Sequence, residues 1–143
     1  MFSDKITYED FNGNTEAEEV FFNISKMESL ELEASYPGGY ANYLQQVAES
    51  EDVAKILEAF KDIVKKAYGV KSEDGKRFVK SEEEFKKFEE SPVYDEFMIK
   101  LMTEENYALD FVLGVMPSTD GVTREAVLKD IKLNTLGAGN TNQ

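Results

Sequence analysis

The chain of 143 residues contains no cysteine, no histidine and no tryptophan, and only three prolines. Without cysteine it can form no disulfide, no thiolate nucleophile and no thiolate-bound zinc or iron–sulfur cluster. Without histidine it lacks the usual general base at neutral pH, the Ser-His-Asp triad and the commonest metal ligand. Carboxylate pairs, lysine nucleophiles and oxygen-ligated metals are the catalytic chemistries that remain.

Long apolar runs and an excess of positive charge are also missing. The longest apolar stretches fall far below the roughly 20 residues needed to cross a bilayer, and residues 1–5 do not begin an apolar signal core. The 29 Asp and Glu residues outnumber the 16 Lys and Arg residues, so the formal net charge is −13. This charge disfavours binding to nucleic-acid phosphates or to an anionic membrane. We therefore expect a soluble cytoplasmic protein that binds neither nucleic acid nor membrane.

The apolar content is sufficient for one folded domain. Apolar residues make up 41% of the chain and include 10 Phe and 7 Tyr, so the high charge does not indicate disorder. A compact domain is predicted over residues 1–117. Residues 118–143, rich in Ser, Thr, Gly and Asn, are predicted to form a flexible C-terminal tail with one short amphipathic helix around Val127, Leu128 and Ile131.

Acidic and basic residues are segregated along the chain. Residues 1–52 carry 12 acids and 2 bases, residues 53–80 carry 4 acids and 8 bases, and residues 81–116 carry 10 acids and 3 bases. The basic middle segment either attracts the acidic segments within the fold or forms a stripe that binds a partner. The first interpretation is the simpler one.

Hydrophobic periodicity predicts an α+β fold in which an N-terminal β-hairpin packs on a mainly α-helical bundle. Alternation on both sides of an Asn-Gly turn at residues 12–13 predicts the hairpin over the first 24 residues. Its buried face is predicted to carry Val20, Phe22 and Ile24. Phe21 then falls on the opposite face, where it is either covered by another layer or exposed at an interface.

Six helices are predicted from capping residues and 3.6-residue spacing. They begin at a capping box of Ser25 and Glu28, near Tyr40, at Ser50, at a second capping box of Ser81 and Glu84, at Pro92 and at Thr103. The third, with an apolar stripe from Val53 to Ala67, is predicted to be the central core helix and to end at Gly69. Residues 70–80 predict a small hairpin around Asp74 and Gly75.

No arrangement of residues is typical of a catalytic, cofactor or metal site. The clustered glutamates, such as residues 82–84, lie in a first helical turn or in polar stretches, where nothing would separate the pKa values of a pair. The turn at residues 72–75 is similar to a calcium loop, but the first and last ligand positions would be Val70 and Ser81, which are not acids. We expect no enzyme and no catalytic, cofactor-binding or metal-binding residue, which favours a binding or assembly role.

Four segments form a distinctive pattern along the chain: residues 6–14 (ITYEDFNGN), 22–27 (FNISKM), 60–84, above all its pieces 67–69 (AYG) and 71–78 (KSEDGKRF), and 111–117 (FVLGVMP). In this order they resemble the tail assembly chaperones of long-tailed, siphovirus-type phages and prophages of Gram-positive bacteria. The resemblance covers about residues 5–117 and leaves the loop between Tyr36 and Tyr43 unmatched.

The resemblance implies a non-enzymatic helper in the host bacterial cytoplasm that is absent from the mature virion. It would bind the phage tape-measure protein and keep it soluble until the tail-tube protein polymerises around it. The tail-tube protein and a frameshifted longer form of the chain are further candidate partners. The alternative is an acidic inhibitor that mimics DNA, although the basic residues of 53–80 interrupt any continuous acidic stripe.

Two sets of residues are candidates for partner binding. Methionine and aromatic side chains form adaptable grooves for helices, and the candidates of this kind are Met98, Met102, Phe111, Val115 and Met116. The second set lies in the small hairpin and consists of Lys71, Lys76, Arg77 and Phe78. A core role for the first set and a structural hairpin for the second are the simpler interpretations.

Overall fold

The computed structural model describes residues 1–117, so the predicted tail and its short helix lie outside the described residues.

The first hairpin forms around a turn that only a few residue types permit. Strands β1 (Phe2–Glu9) and β2 (Thr15–Phe22) pair antiparallel along their whole length. Gly13 adopts a φ of +84° in the turn, where the Asp10 carboxylate accepts hydrogen bonds from the N–H groups of Asn12 and Asn14. The predicted hairpin is confirmed.

A second hairpin extends the sheet. Strands β3 (Tyr68–Lys71) and β4 (Phe78–Val79) follow in the strand order β1-β2-β3-β4, with every neighbouring pair antiparallel. Strand β3 pairs only with the last two residues of β2, as Phe21 lies opposite Gly69 and Phe22 opposite Tyr68. The two hairpins therefore share a short common base and are not paired beyond it.

Six helices accompany this sheet. They are α1 (Lys26–Ser35), α2 (Tyr40–Glu49), α3 (Val53–Ala67), α4 (Glu82–Glu89), α5 (Pro92–Thr103) and α6 (Glu105–Val115). Of these, α4, α5 and α6 contact its strands directly. The capping box at α1 has both of its hydrogen bonds, and α5 begins with proline, as predicted. None of the helices within residues 1–117 combines the length and apolar character that a membrane span requires.

Two of the predicted N-terminal helix caps, Ser50 and Thr103, are wrong. Ser50 ends α2, and the carboxylate of Asp52 caps α3 by accepting two backbone N–H groups of the first turn. Thr103 ends α5, and its hydroxyl donates to the carbonyl of Ile99 one turn earlier. A hydroxyl near two helix ends can serve either one, since the last turn of one helix and the first turn of the next both offer a partner.

The core lies between the sheet and the helices, with aromatic rings at its centre. The predicted inward residues Val20, Phe22 and Ile24 are buried. The ring of Phe22 stacks on Phe97 with centroids 4.5 Å apart and meets Phe111 edge-on at 5.3 Å. This geometry is favourable for aromatic pairs, and it ties the hairpin to α5 and α6.

Helix α3 enters the core over only part of its length. Ile63, Val64 and Ala67 near its C-terminus are buried, whereas Val53 and Leu57 near its start are exposed. The predicted central core helix is therefore confirmed for its second half only. Periodicity indicates which side of a helix is apolar, but it does not show how far along that side the neighbouring elements extend.

Ion pairs join some of the acidic and basic segments. The Lys80 Nζ atom lies 2.6 Å from Glu28 Oε1 and donates to the Lys66 carbonyl at 2.9 Å, which connects β4 to α1 and α3. A longer pair, 4.0 Å, joins Lys65 to Glu82. Attraction between segments within the fold is thus part of the reason for the charge pattern.

Candidate partner-binding surface

No helix of residues 1–117 packs against one face of the sheet. Directly opposed residues of an antiparallel pair point to the same face, so the strand register assigns every side chain. The face opposite the core carries Ser3, Lys5, Thr7, Glu9, Thr15, Ala17, Glu19, Phe21, Gly69, Lys71 and Phe78, which we name the open sheet face. Every residue of this set except Gly69 is at least partly exposed.

Two phenylalanines, Phe21 and Phe78, lie at the centre of the open sheet face, and we name this pair the aromatic centre. The ring of Phe78 lies over Gly69, which itself pairs with Phe21. The predicted role of Gly69 as the end of α3 is wrong, because the chain passes from α3 directly into β3 at Tyr68. Glycine is needed at this position because a side chain there would collide with the Phe78 ring. The two rings are only partly buried.

Lysine side chains flank both rings. The Lys71 Nζ atom lies 5.0 Å from the centroid of the Phe21 ring, and the Lys80 Nζ atom lies 5.9 Å from that of Phe78. Both distances allow attraction between the ammonium group and the electron-rich face of the ring. The centre of the open sheet face is therefore aromatic, with the Lys71 ammonium group beside Phe21, while the charge of Lys80 is balanced by its ion pair with Glu28.

The turn between β3 and β4 is held by internal hydrogen bonds. The N–H group of Ser72 donates to the Arg77 carbonyl at 2.9 Å, and Gly75 supplies a φ of +74°. Hydrogen bonds from the Lys76 N–H group and from the Ser72 hydroxyl hold the pKa of Asp74 below its usual value. The predicted turn is confirmed, and it presents Lys76 and Arg77 to solvent.

The two predicted sets of binding residues differ in their exposure to solvent. The hairpin set, Lys71, Lys76, Arg77 and Phe78, lies together on one exposed hairpin. The helical set is divided, since Met98, Phe111 and Val115 are buried and only Met102 and Met116 are partly exposed. The buried members pack within the core and are not available to a partner in this conformation. The geometry therefore favours the hairpin set.

Sequence reasoning missed that Phe21 and Phe78 lie on the same face of the sheet, on either side of Gly69. It placed Phe21 on the outward face of the hairpin but left open whether another layer covers it. The two residues lie in separate hairpins, and β3 brings them together by pairing with both β2 and β4. The one local signal was the glycine at residue 69, a position where a glycine inside a strand often indicates the close approach of another group.

Residues 1–117 contain no cluster of side chains that is typical of a metal site. Residues 1–117 contain no group of three or more acidic side chains placed to hold an ion. The chemistry available at the centre of the open sheet face is apolar contact with two aromatic rings beside the Lys71 ammonium group. That combination is suited to binding a polypeptide.

A family model described as phage tail assembly chaperone matches residues 1–125 of the chain. The match spans both hairpins and all six helices. No curated protein matches the chain significantly, and no solved structure does.

Proposed function

Because the chain belongs to the phage tail assembly chaperone family, we propose that its client is the tape-measure protein. In this proposal it binds the tape-measure protein in the host cytoplasm and keeps that protein soluble until the tail tube polymerises around it. The family supports a chaperone role in tail assembly and makes the DNA-mimic inhibitor the weaker alternative. The tail-tube protein and a frameshifted longer form of the chain stay predicted partners, as does the origin from a siphovirus of Gram-positive bacteria.

The observation that carries the choice of surface is the pair of partly exposed rings, Phe21 and Phe78, on the open sheet face. An antiparallel sheet can leave one face in water, but this face exposes two aromatic rings that no helix of residues 1–117 covers. An apolar helix of the client would cover both rings and remove them from water. Exposed apolar patches of this kind commonly mark interaction sites.

The size of the aromatic centre suits a contact that is made and later released. Fully burying one Phe side chain contributes about 1.5–3 kcal/mol, and both rings are already partly buried. Because at most about a third of each side chain is still exposed, their remaining burial contributes at most about 2 kcal/mol together. A contact of this strength holds a client when it is repeated along a long chain, and it still permits displacement by the tail-tube protein.

The charge of the remaining surface is suited to keeping the bound client soluble. The net charge of −13 opposes aggregation of a complex that has bound an apolar client. The exposed cations Lys71, Lys76 and Arg77 lie beside the aromatic centre. They would attract acidic side chains that border an apolar stripe on the client helix.

Co-expression with the tape-measure protein of the same phage tests this proposal. The wild-type chaperone should raise the soluble fraction of the tape-measure protein and co-purify with it. The variant Phe21→Thr with Phe78→Thr should reduce binding about tenfold or more, because the aromatic centre is lost while the strand preference of each residue is kept. If the wild type neither co-purifies with the tape-measure protein nor changes its solubility, the client assignment is wrong.

Two further variants locate the surface. Leu30 on α1 is an exposed apolar residue away from the sheet, so Leu30→Gln serves as the matched control and should bind normally. The variant Met102→Gln with Met116→Gln tests the exposed members of the helical set. If it loses the client while the double Thr variant, shown to be folded by circular dichroism, retains it, the binding surface lies on α5 and α6 instead.

A further inference from the structure

Strand β2 has a long edge that no other strand of residues 1–117 occupies. Its pairing with β3 covers only Phe21 and Phe22, and the two strands separate after Phe21 and Gly69. Residues 15–19 therefore border β1 on one side and no described strand on the other, and we name that second side the free edge. Every residue from 15 to 19 is exposed.

Hydrogen bonds at both ends of β2 show which backbone groups face the free edge. Successive residues of an antiparallel strand direct their N–H and C=O groups to opposite sides. The Asp10 N–H group donates to the Asn14 carbonyl at 2.8 Å, so the even-numbered residues face β1. The Asn23 N–H group donates to the Ala67 carbonyl at 2.8 Å, on the other side. The groups at the free edge therefore belong to the odd-numbered residues, which are Thr15, Ala17 and Glu19.

The backbone at the free edge has the regular form that another strand can join. No hydrogen bond within residues 1–117 involves the N–H or C=O groups of Thr15, Ala17 or Glu19. The register with β1 is continuous, so no bulge twists this edge away, and no proline interrupts it. An added strand bonds through every second residue, which is the spacing that these three residues offer.

Glutamates determine which strands the free edge can accept. Residues 9–19 contain five acids and no base, and three of the acids, Glu16, Glu18 and Glu19, lie along β2. None of the five forms an ion pair with a described residue. Like charges on neighbouring strands repel and opposite charges attract. The free edge therefore disfavours an acidic strand, including a second copy of itself, and favours a basic one.

We propose that the free edge of β2 binds an extended segment of a partner protein that carries lysine or arginine at alternate positions. The segment would join the sheet beside residues 15–19 through main-chain hydrogen bonds. Glu16 and Glu18 point to the same face of the strand, so they select a segment with basic side chains on that face. The site is separate from the aromatic centre, and the inference does not depend on the identity of the client.

Amide hydrogen exchange of the full chain tests the site, with a capped synthetic peptide of about eight residues in which lysine and valine alternate. In the free protein, the N–H groups of Thr15, Ala17 and Glu19 should exchange quickly. Those of Glu16 and Glu18, which face β1, should exchange slowly. The lysine peptide should slow exchange at the three odd-numbered residues at least about tenfold and leave the other two little changed.

Two control peptides separate strand addition from simple charge attraction. The first has the same sequence with N-methyl groups on its central residues, which removes main-chain donors from both of its edges and keeps its charge. The second has glutamate in place of lysine. Each should bind at least about tenfold more weakly than the lysine peptide in isothermal titration calorimetry.

Variants of the chain test the backbone and the charges separately. Ala17→Pro removes an N–H group that faces the free edge, where proline is tolerated, so it should fold and lose most of its affinity for the lysine peptide. Glu16→Lys with Glu18→Lys should reverse the preference and bind the glutamate peptide instead. Glu89→Lys with Glu90→Lys, at exposed positions at the end of α4, makes the same change in net charge and should bind like the wild type. If circular dichroism shows that Ala17→Pro is unfolded, the N-methylated peptide still tests the backbone contacts.

Three results would overturn the inference. One is a lysine peptide that does not bind at millimolar concentration. Another is equal binding of the N-methylated peptide, which would leave charge attraction only. The third is slow exchange of Thr15, Ala17 and Glu19 in the free protein, because the edge would then already be paired. None of these measurements includes the tape-measure protein, so each of the three would leave the proposed function intact.

Discussion

The ring of Phe78 occupies the space where a side chain on residue 69 would begin, because a Cβ atom built on Gly69 lies 2.5 Å from Phe78 Cε2. We expect Gly69→Ala to force the ring outward and to lower the free energy of unfolding by about 1–3 kcal/mol, the usual cost of overpacking. Urea denaturation followed by circular dichroism measures this change.

The double variant Gly69→Ala with Phe78→Ala is the control for the contact between these residues. Once the ring is absent, the alanine at residue 69 should cost little, so the two effects should be strongly non-additive. An equal cost of Gly69→Ala in both backgrounds would show that the backbone, and not the ring, requires glycine.

Asp4 connects the first hairpin to two helices, and its ionisation should make the fold sensitive to acid. Its carboxylate accepts hydrogen bonds from Lys100 Nζ at 3.1 Å and from the Tyr107 hydroxyl at 2.7 Å. Burial acts to raise the pKa of Asp4, but these hydrogen bonds outweigh it and leave the pKa below the usual value. A lowered pKa in the folded state contributes stability above the unfolded pKa near 4, and this is lost as the pH falls through the folded pKa.

We therefore expect Asp4→Asn to lower the free energy of unfolding at pH 7 by about 1–2 kcal/mol. The difference from the wild type should shrink as the pH falls below about 4. Urea denaturation at a series of pH values from neutral to acidic measures both curves. Some acid sensitivity should remain in the variant, because Glu28 also has a lowered pKa: hydrogen bonds from Lys80 and from the Ser25 N–H group outweigh the effect of its burial. Curves that stay parallel at all pH values would contradict this role for Asp4.

Buried tyrosines should make the fold sensitive to alkali. Burial raises the pKa of Tyr68 to about 12, and burial also raises the pKa of Tyr40 and of Tyr107, the latter with help from its hydrogen bond to Asp4. A pKa raised in the folded state contributes stability that is complete below the unfolded value near 10 and is lost as the pH rises through the folded value.

Phenolate absorbance and circular dichroism, recorded together above pH 10, test this expectation. The late-titrating tyrosines should ionise only as helicity is lost, and Tyr68→Phe should move part of the unfolding to higher pH. Ionisation of all seven tyrosines near pH 10 with full helicity would contradict it.

Two phenylalanines of the first hairpin should respond very differently to truncation. Phe22 is fully buried against Phe97, whereas Phe11 at the turn is 88% exposed. We expect Phe22→Ala to cost about 3–5 kcal/mol, from lost apolar contact and the remaining cavity. Phe11→Ala should change the stability by less than about 0.5 kcal/mol.

Thermal denaturation compares the two variants directly. If Phe22→Ala does not fold, Phe22→Leu offers a smaller change that can still be measured. A large loss of stability in Phe11→Ala would show that the end of the hairpin is packed and not free.

The features that sequence predicted well depend on neighbours along the chain. The faces of the first hairpin, the capping box at Ser25 and the turn at Gly75 each need only a few adjacent residues. The wrong predictions concern residues that fit two different structural roles, and adjacent residues do not determine which role each one takes. Ser50 and Thr103 each had two helix ends within reach, and Gly69 lay where a helix end and a strand overlap.

By itself, the sequence determined the α+β class, the absence of cysteine and histidine chemistry, the acidic surface and the direction in which each hairpin side chain points. Only the tertiary structure decided that Phe21 and Phe78 lie on the same open face, that Phe111 and Val115 are buried, and that the second hairpin pairs with only the last two residues of β2. The physical reason is that periodicity along one segment sets which way its side chains point. Which other segment lies opposite depends on strand register and helix packing, and these arise from contacts between residues far apart in the chain.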